Sequence, residues 1–293
     1  MGTGSWTSKA FADYTVSTKC VANVDDFVKS RGISTQDVFK VDTLSKSLNP
    51  YRIMRECRDN DEHPNTLPVI LALDITGSMG SSAVAVAKQL GKIMESIYSD
   101  AAVPDVEFCM MAIGDLAYDT TPIQMGQFES DIRIAEQLDA IYFEGHGGGN
   151  NYESYTAAWY MGLNHCDLDC WKRGRKGIII TLGDEPMNPY LPKRGLEQLF
   201  PNDPIQGDVD TNDLYNEVCE KYDVYHVVIT DPEASTSYYM GRIDNTWGKL
   251  LDGQHLIKSD SDKLPEVITD IVVNRSQSDT AVPLQVDEDG IGW

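Results

Sequence analysis

The chain has 293 residues, 41% hydrophobic and 24% charged, a composition that supports one large α/β domain with extensions. Its 46 acidic residues against 24 basic ones leave a formal net charge of −22. That balance argues against direct binding to nucleic acid or an anionic membrane, where Lys and Arg must neutralise phosphates; it suits a cation, a basic partner, or simply a solvated surface.

Residues 1–66 are polar and irregular, with short apolar stretches such as Asp37 to Val41, and read as an N-terminal extension packed on a main domain. The run Asp59 to Pro64 reads as a linker. The main domain is expected over 67–275 and a polar, acidic tail over 276–293. Val69 to Leu73 is a continuous apolar run, as in a strand buried on both faces. Residues 82–98 follow at helical spacing, with Ala83, Ala87, Leu90, Met94 and Ile97 on one stripe and Ser81 or Ser82 as the cap. Val106 to Ile113 predicts a second strand, Pro122 to Phe128 an edge strand and 129–139 a short helix. The glycine loop Gly145 to Gly149 leads into a helix over 152–164. Ile178 to Leu182 and Val224 to Thr230 are further buried strands, with helices at 211–221 and 262–274. Strands with apolar rather than alternating patterns, interleaved with helices, predict a Rossmann-like, doubly wound, mostly parallel sheet covered on both faces.

No basic-then-apolar segment opens the chain, and no run approaches 18 apolar residues. The expectation is a cytoplasmic protein without a membrane span. The six cysteines, Cys20, Cys57, Cys109, Cys166, Cys170 and Cys219, are scattered and read as reduced thiols. Cys166 and Cys170 would lie one helical turn apart near His165, but too few further ligands accompany them for zinc.

In a doubly wound sheet, ligands bind at the carboxyl ends of the strands. Asp74 stands at one such end, in Asp74-Ile-Thr-Gly-Ser-Met-Gly80, and Asp184 at another, in Thr181-Leu-Gly-Asp-Glu-Pro186. The loop Gly147 to Glu153 should reach the same rim. Asp74, Thr76, Ser78, Asp184 and Asn150 together offer carboxylates, hydroxyls and an amide. Those hard oxygen donors suit Mg²⁺ or Mn²⁺ and lack the thiolate or imidazole that zinc prefers. A simpler reading has Asp74, Thr76 and Ser78 capping a turn, and Asn150 with Glu153 forming a capping box. Nucleotide motifs are absent: no GK[ST] follows a glycine loop, and Gly145 to Asn150 lacks the last glycine of G-x-G-x-x-G. A haloacid-dehalogenase-like nucleophile would need a second aspartate where Thr76 stands.

The stretch Asp74 to Gly80 resembles the metal-ion-dependent adhesion site of the von Willebrand factor A family, in its DxTGSMG form. The glycine loop and Asp184 match the family's second and third metal loops in order and spacing, and the likeness covers residues 66–275. The resemblance implies a divalent-metal-dependent protein-interaction module without turnover, its metal held by Asp74, Thr76, Ser78, Asn150 and Asp184. It also implies a partner that offers a carboxylate, in a multiprotein assembly that can include an AAA+ ATPase. The second loop departs from the usual threonine, and Asn150 is the candidate donor there. Two long segments, 185–211 and 231–254, should surround the rim. Their aromatics, Tyr190, Phe200, Tyr238, Tyr239 and Trp247, are candidate partner contacts, or else ties between long loops and the body. Two other functions fit the residues: a Mg²⁺-dependent hydrolase with Glu185 or His146 as base, and a structural component of a virion or secretion apparatus.

Overall fold

A computed structural model describes residues 4–18, 41–77, 79–99, 103, 105–144, 149–232 and 234–280. In chain order the elements are α1 (Ser8–Thr18), β1 (Arg55–Cys57), β2 (Leu67–Asp74), α2 (Gly80–Ser99), β3 (Val106–Ile113), β4 (Ile123–Met125), α3 (Arg133–Asp139), α4 (Ala157–Asn164), β5 (Cys166–Leu168), β6 (Gly177–Gly183), β7 (Tyr190–Leu191), α5 (Lys193–Leu199), β8 (Val209–Asp210), α6 (Thr211–Val218), β9 (Tyr222–Ile229), α7 (Thr236–Thr246), β10 (Leu256–Ser259) and α8 (Leu264–Thr280).

Six strands form one sheet in the order β10-β9-β6-β2-β3-β4. The pairs are parallel except at the β4 edge, which runs antiparallel to β3. The apolar runs are apolar because both faces are covered. Val69, Leu71 and Leu73 of β2 pack with Leu90 and Met94 of α2 and with Ile268 and Val272 of α8. Ile70 and Ala72 point the other way, towards Trp159 and Met161 of α4 and Leu214 and Val218 of α6. Each such aliphatic side chain contributes about 1.5–3 kcal/mol by leaving water. The chain is therefore a doubly wound α/β sheet, as its alternation of apolar runs and helical stripes predicts.

The topology also fixes where a ligand can enter. From β2 the chain moves to β3 and the β4 edge, then crosses back to β6 on the other side of β2. The carboxyl ends of β2 and β6 thus flank the point where strand order reverses, and connections leaving in opposite directions open a crevice there.

Several local expectations change. Cys166 and Cys170 do not share a helical turn: Cys166 lies in β5, which pairs parallel with β1, and Cys170 lies in the 3₁₀ turn after it. The described cysteines, Cys57, Cys109, Cys166, Cys170 and Cys219, are free thiols, and Cys20 lies outside the described residues. The Asp59 to Pro64 stretch is not a loose linker. Asp59 accepts from Thr66 and pairs with Arg173, its amide bonds Asp169, and His63 is buried. Arg58 binds Glu56, Asp167 and Asp169 at once, which locks the β1–β5 pair. Trp6 and Leu48 sit in the same core as β2 and α2. Helix α2 starts at Gly80, so Ser81 and Ser82 lie in its first turn rather than capping it. Strand β10, half-exposed, went unread in the sequence. No helix among the described residues is long and apolar enough to cross a membrane.

Candidate functional site

Asp74 is the last residue of β2, and Asp184 follows β6 directly. Both are 0% exposed, at the carboxyl ends of adjacent parallel strands. Asp74 Oδ1 accepts from the Thr76 amide (2.9 Å) and the Thr76 hydroxyl (2.7 Å). Its Oδ2 accepts from the Tyr155 hydroxyl at 2.5 Å. Asp184 Oδ2 accepts from the Ser235 amide at 2.6 Å. Burial and then repulsion from Asp184 push the Asp74 carboxyl up to about 8, against the opposing bonds from Tyr155 and Thr76. Two acids are thus held together where water does not screen them.

Tyr155 is the hinge pin of this arrangement. Its hydroxyl donates to Asp74 and accepts from the Glu185 amide at 3.2 Å, so it joins the ends of β2 and β6. It can lie there because residue 183 is glycine: a Cβ at Gly183 would sit 2.2 Å from the Tyr155 hydroxyl. Below it, His226 stacks flat on Trp247 (ring centroids 3.8 Å apart, 8° between planes) and meets the Tyr155 ring edge-on at 5.0 Å. His226 Nδ1 bonds the Thr181 hydroxyl at 2.8 Å. Neither the motif nor periodicity marks Tyr155, since an aromatic before a helix reads as core.

Further carboxylates gather at the rim. Glu153 is 3% exposed. Burial first, then Asp74, Glu185 and Asp115, push it up to about 11. Asp115, two residues past the end of β3, is 1% exposed and is raised by burial against the Ala117 amide and the Asn150 side chain. Glu185 is also buried. In the sequence Glu153 is marked only as a partner in a capping box, and Asp115 stands in no motif.

Of the expected ligands, the fold brings Asp74, Thr76 and Asp184 together. Ser78 lies outside the described residues, as does His146. Asn150 lies against Asp115, on the β3 side of the crevice. Its capping-box alternative fails, because α4 begins at Ala157 with Thr156 in the N-cap position. Among the described residues no three His, Cys, Asp or Glu side chains converge to hold a metal by themselves. An ion here would therefore need hydroxyl, amide or water donors as well. The residues fit that description: a threonine hydroxyl that donates to Asp74 retains oxygen lone pairs, and the acids flank it.

The aromatic expectation divides. Tyr238 is 83% exposed and Tyr190 40%. Tyr239 is half-buried, donates to Asn151 Oδ1 at 3.4 Å and lies under the Arg242 guanidinium. Tyr118, unremarked in the sequence, is 60% exposed and lies against Gly149. Trp247 is not a surface contact. It is 0% exposed, and its indole N–H donates to the Glu185 carbonyl, because α7 folds its segment back onto the sheet. Phe200 is likewise buried, packed on His165.

No protein-family description and no curated protein is matched by this chain. Its similarities are to solved structures. One is the pilus adhesin SpaC from Lactobacillus rhamnosus GG, at 12% identity and TM-score 0.43, over 75% of this chain and 30% of that one. A second is the vWF domain of the type V pili tip protein Mfa5 from Porphyromonas gingivalis, at 11% and 0.42, over 73% and 96%. A third is proximal thread matrix protein 1 from the mussel byssus, at 11% and 0.43, over 72% and 48%. The chain spans less than a third of SpaC and about half of the byssus protein.

Proposed function

We propose that this chain is a von Willebrand factor A-like protein-interaction module that holds Mg²⁺ or Mn²⁺ between Asp74, Thr76 and Asp184, with Ser78 as a further donor. The observation that carries this reading is the pair of fully buried carboxylates at the switch point of a doubly wound sheet. The groups that act most on Asp74 are an acid and hydrogen-bond donors, with no Lys or Arg among them. Buried like charges cost free energy unless a cation or a proton answers them. A divalent ion supplies that charge and, when bound, an electrophilic point for a ligand oxygen.

The role of the protein is to hold the two acids in place and oriented. Thr76 and Tyr155 fix the two oxygens of Asp74, and Ser235 fixes Asp184. A partner carboxylate would complete the ion's shell, and the exposed Tyr190 and Tyr238, with Tyr239 beside them, would contact the partner's surface around it. The reading is non-enzymatic and cytoplasmic, in an assembly of the kind that can include an AAA+ ATPase.

Calorimetric titration of Mg²⁺ and Mn²⁺ into metal-free protein tests this, with Asp74→Ala beside wild type. The expected result is a binding isotherm for wild type and none for the variant, with the variant's circular dichroism unchanged. A variant that binds like wild type would remove the ion from this position.

A further inference from the structure

Tyr51, Ile53 and Met54 are three of the seven large hydrophobic side chains exposed among the described residues, and they stand within four consecutive positions. Apolar residues exposed singly are ordinary; a contiguous set on a rigid support marks a contact surface.

The support is a turn tied to the β4 edge of the sheet. Asn49 Oδ1 accepts from the Tyr51 amide at 2.9 Å, and the Pro50 carbonyl accepts from the Ile53 amide at 3.4 Å. The buried Arg55 donates from its guanidinium to the carbonyls of Ser47 and Asn49 and to that of Met125 in β4. The Met125 amide donates in turn to the Leu48 carbonyl at 2.8 Å. Arg52 sits in the turn at φ 57°, the sole non-glycine residue in the left-handed region among the described residues. Glycine would take that position without strain. An arginine there accepts strain to place a guanidinium among the exposed apolar side chains, and strain of that kind gathers at binding sites. Arg52 lies over the Tyr51 ring, 4.9 Å from its centroid, and makes no ion pair among the described residues.

Charge says what fits. Residues 43–54 carry Lys46 and Arg52 and no acid, in a chain with 46 acidic residues. The surface is apolar and positive on a strongly negative protein, and its complement sets carboxylates beside apolar side chains. The acidic tail has that composition. No Lys or Arg follows Arg275, and residues 281–293 place Asp287, Glu288 and Asp289 between Leu284 and Val286 before them and Ile291 and Trp293 after them. Residues 19–40, also outside the described residues, carry four basic side chains against three acidic ones and lack that complementarity.

We propose that residues 281–293 seat on the Tyr51–Met54 turn of the same chain, with their carboxylates on Arg52 and their apolar side chains on Tyr51, Ile53 and Met54. The reach suffices. Helix α8 shares a core with Leu48, and its Arg275 pairs with Asp223 near the start of β9. From β9 to β4 is four strand spacings, about 19 Å. Thirteen residues span up to about 43 Å. The contact makes no use of the ion at the strand ends and stands apart from that reading.

The test uses the full chain and a fluorescein-labelled peptide of residues 281–293, read by fluorescence anisotropy. In one variant of the full chain, Asp287→Asn, Glu288→Gln and Asp289→Asn together neutralise the tail and free the turn. This variant should bind the peptide at least tenfold more tightly than wild type, whose own tail competes at high effective concentration. Arg52→Gly, which keeps the turn, and Ile53→Ser should each weaken the peptide at least tenfold when added to that variant, with circular dichroism unchanged. Peptide that binds none of these chains, or binds them all alike, would overturn the proposal. Self-association of wild type in sedimentation, abolished by the three tail substitutions, would put the tail on a second copy and overturn seating within one chain.

Discussion

Asp184 shows why a metal reading and a capping reading separate at the level of one residue. A capping aspartate replaced by asparagine loses charge and little else, because the amide oxygen still accepts from the Ser235 backbone. Here the charge is the problem, since Asp184 raises Asp74 by repulsion in a fully buried pair. Asp184→Asn should therefore melt at or above the wild-type temperature in chelator, while losing its response to Mg²⁺. Thermal melts with and without Mg²⁺ read both. A variant that melts lower in chelator would mean the carboxylate holds the fold through bonds rather than burdening it with charge. Gly183→Ala makes the complementary case: its Cβ would collide with the Tyr155 hydroxyl, and the displaced tyrosine should cost about 1–3 kcal/mol in denaturant unfolding. At this scale the motif was informative about placement: Asp74 and Asp184 stand at the ends of β2 and β6, with Thr76 bonded to Asp74. It was silent where a side chain acquires its role from a neighbour 81 positions away, as Tyr155 does with Asp74.

Elements built from apolar runs were legible because burial on both faces leaves no other composition available. Elements that cover edges or loops were not. β10 pairs with β9 with only its last residue fully buried, and so carries no apolar run. α7 joins the body mainly through Thr236, Ile243 and the following Trp247, too few positions to mark a helical stripe. Trp247 thereby passes for a loop aromatic. Trp247→Ala should cost about 3–5 kcal/mol, since it empties the stack over His226 and Tyr155, whereas Tyr238→Ala should stay within about 0.5 kcal/mol of wild type. Two buried titratable groups on central strands give the sheet its own pH signature. Burial lowers His226 of β9 to about 3, so the unfolded chain binds the extra proton and stability falls as pH drops from about 6.5 towards 3. Glu107 of β3 is raised by burial to about 7, so the native state keeps the proton longer and stability falls as pH rises from about 4.5 towards 7. Each slope is at most about 1.4 kcal/mol per pH unit. Urea unfolding of Glu107→Gln between pH 4.5 and 7 should show a slope shallower than that of wild type by up to about 1.4 kcal/mol per pH unit, the remainder belonging to the other raised acids, Asp74 and Glu153; an unchanged slope would take Glu107 out of it.

The whole molecule sets the condition under which any of these ions matters. With a formal charge of −22, self-repulsion opposes the compact state everywhere, and any added salt relieves it by screening. Stabilisation by MgCl₂ alone is therefore weak support for a site. A bound ion differs in being saturable and local: at one hundred times its dissociation constant it adds about 2.7 kcal/mol, whatever the background salt. The two effects separate when NaCl and MgCl₂ are compared at matched ionic strength, in wild type and in Asp184→Asn. NaCl should raise the melting temperature of both proteins alike. MgCl₂ should add a further, saturating increment in wild type only. An equal increment in both would assign the effect to the acidic surface as a whole. The buried pair at the strand ends would then be a charged defect, tolerated by two well-packed cores on either side of the sheet.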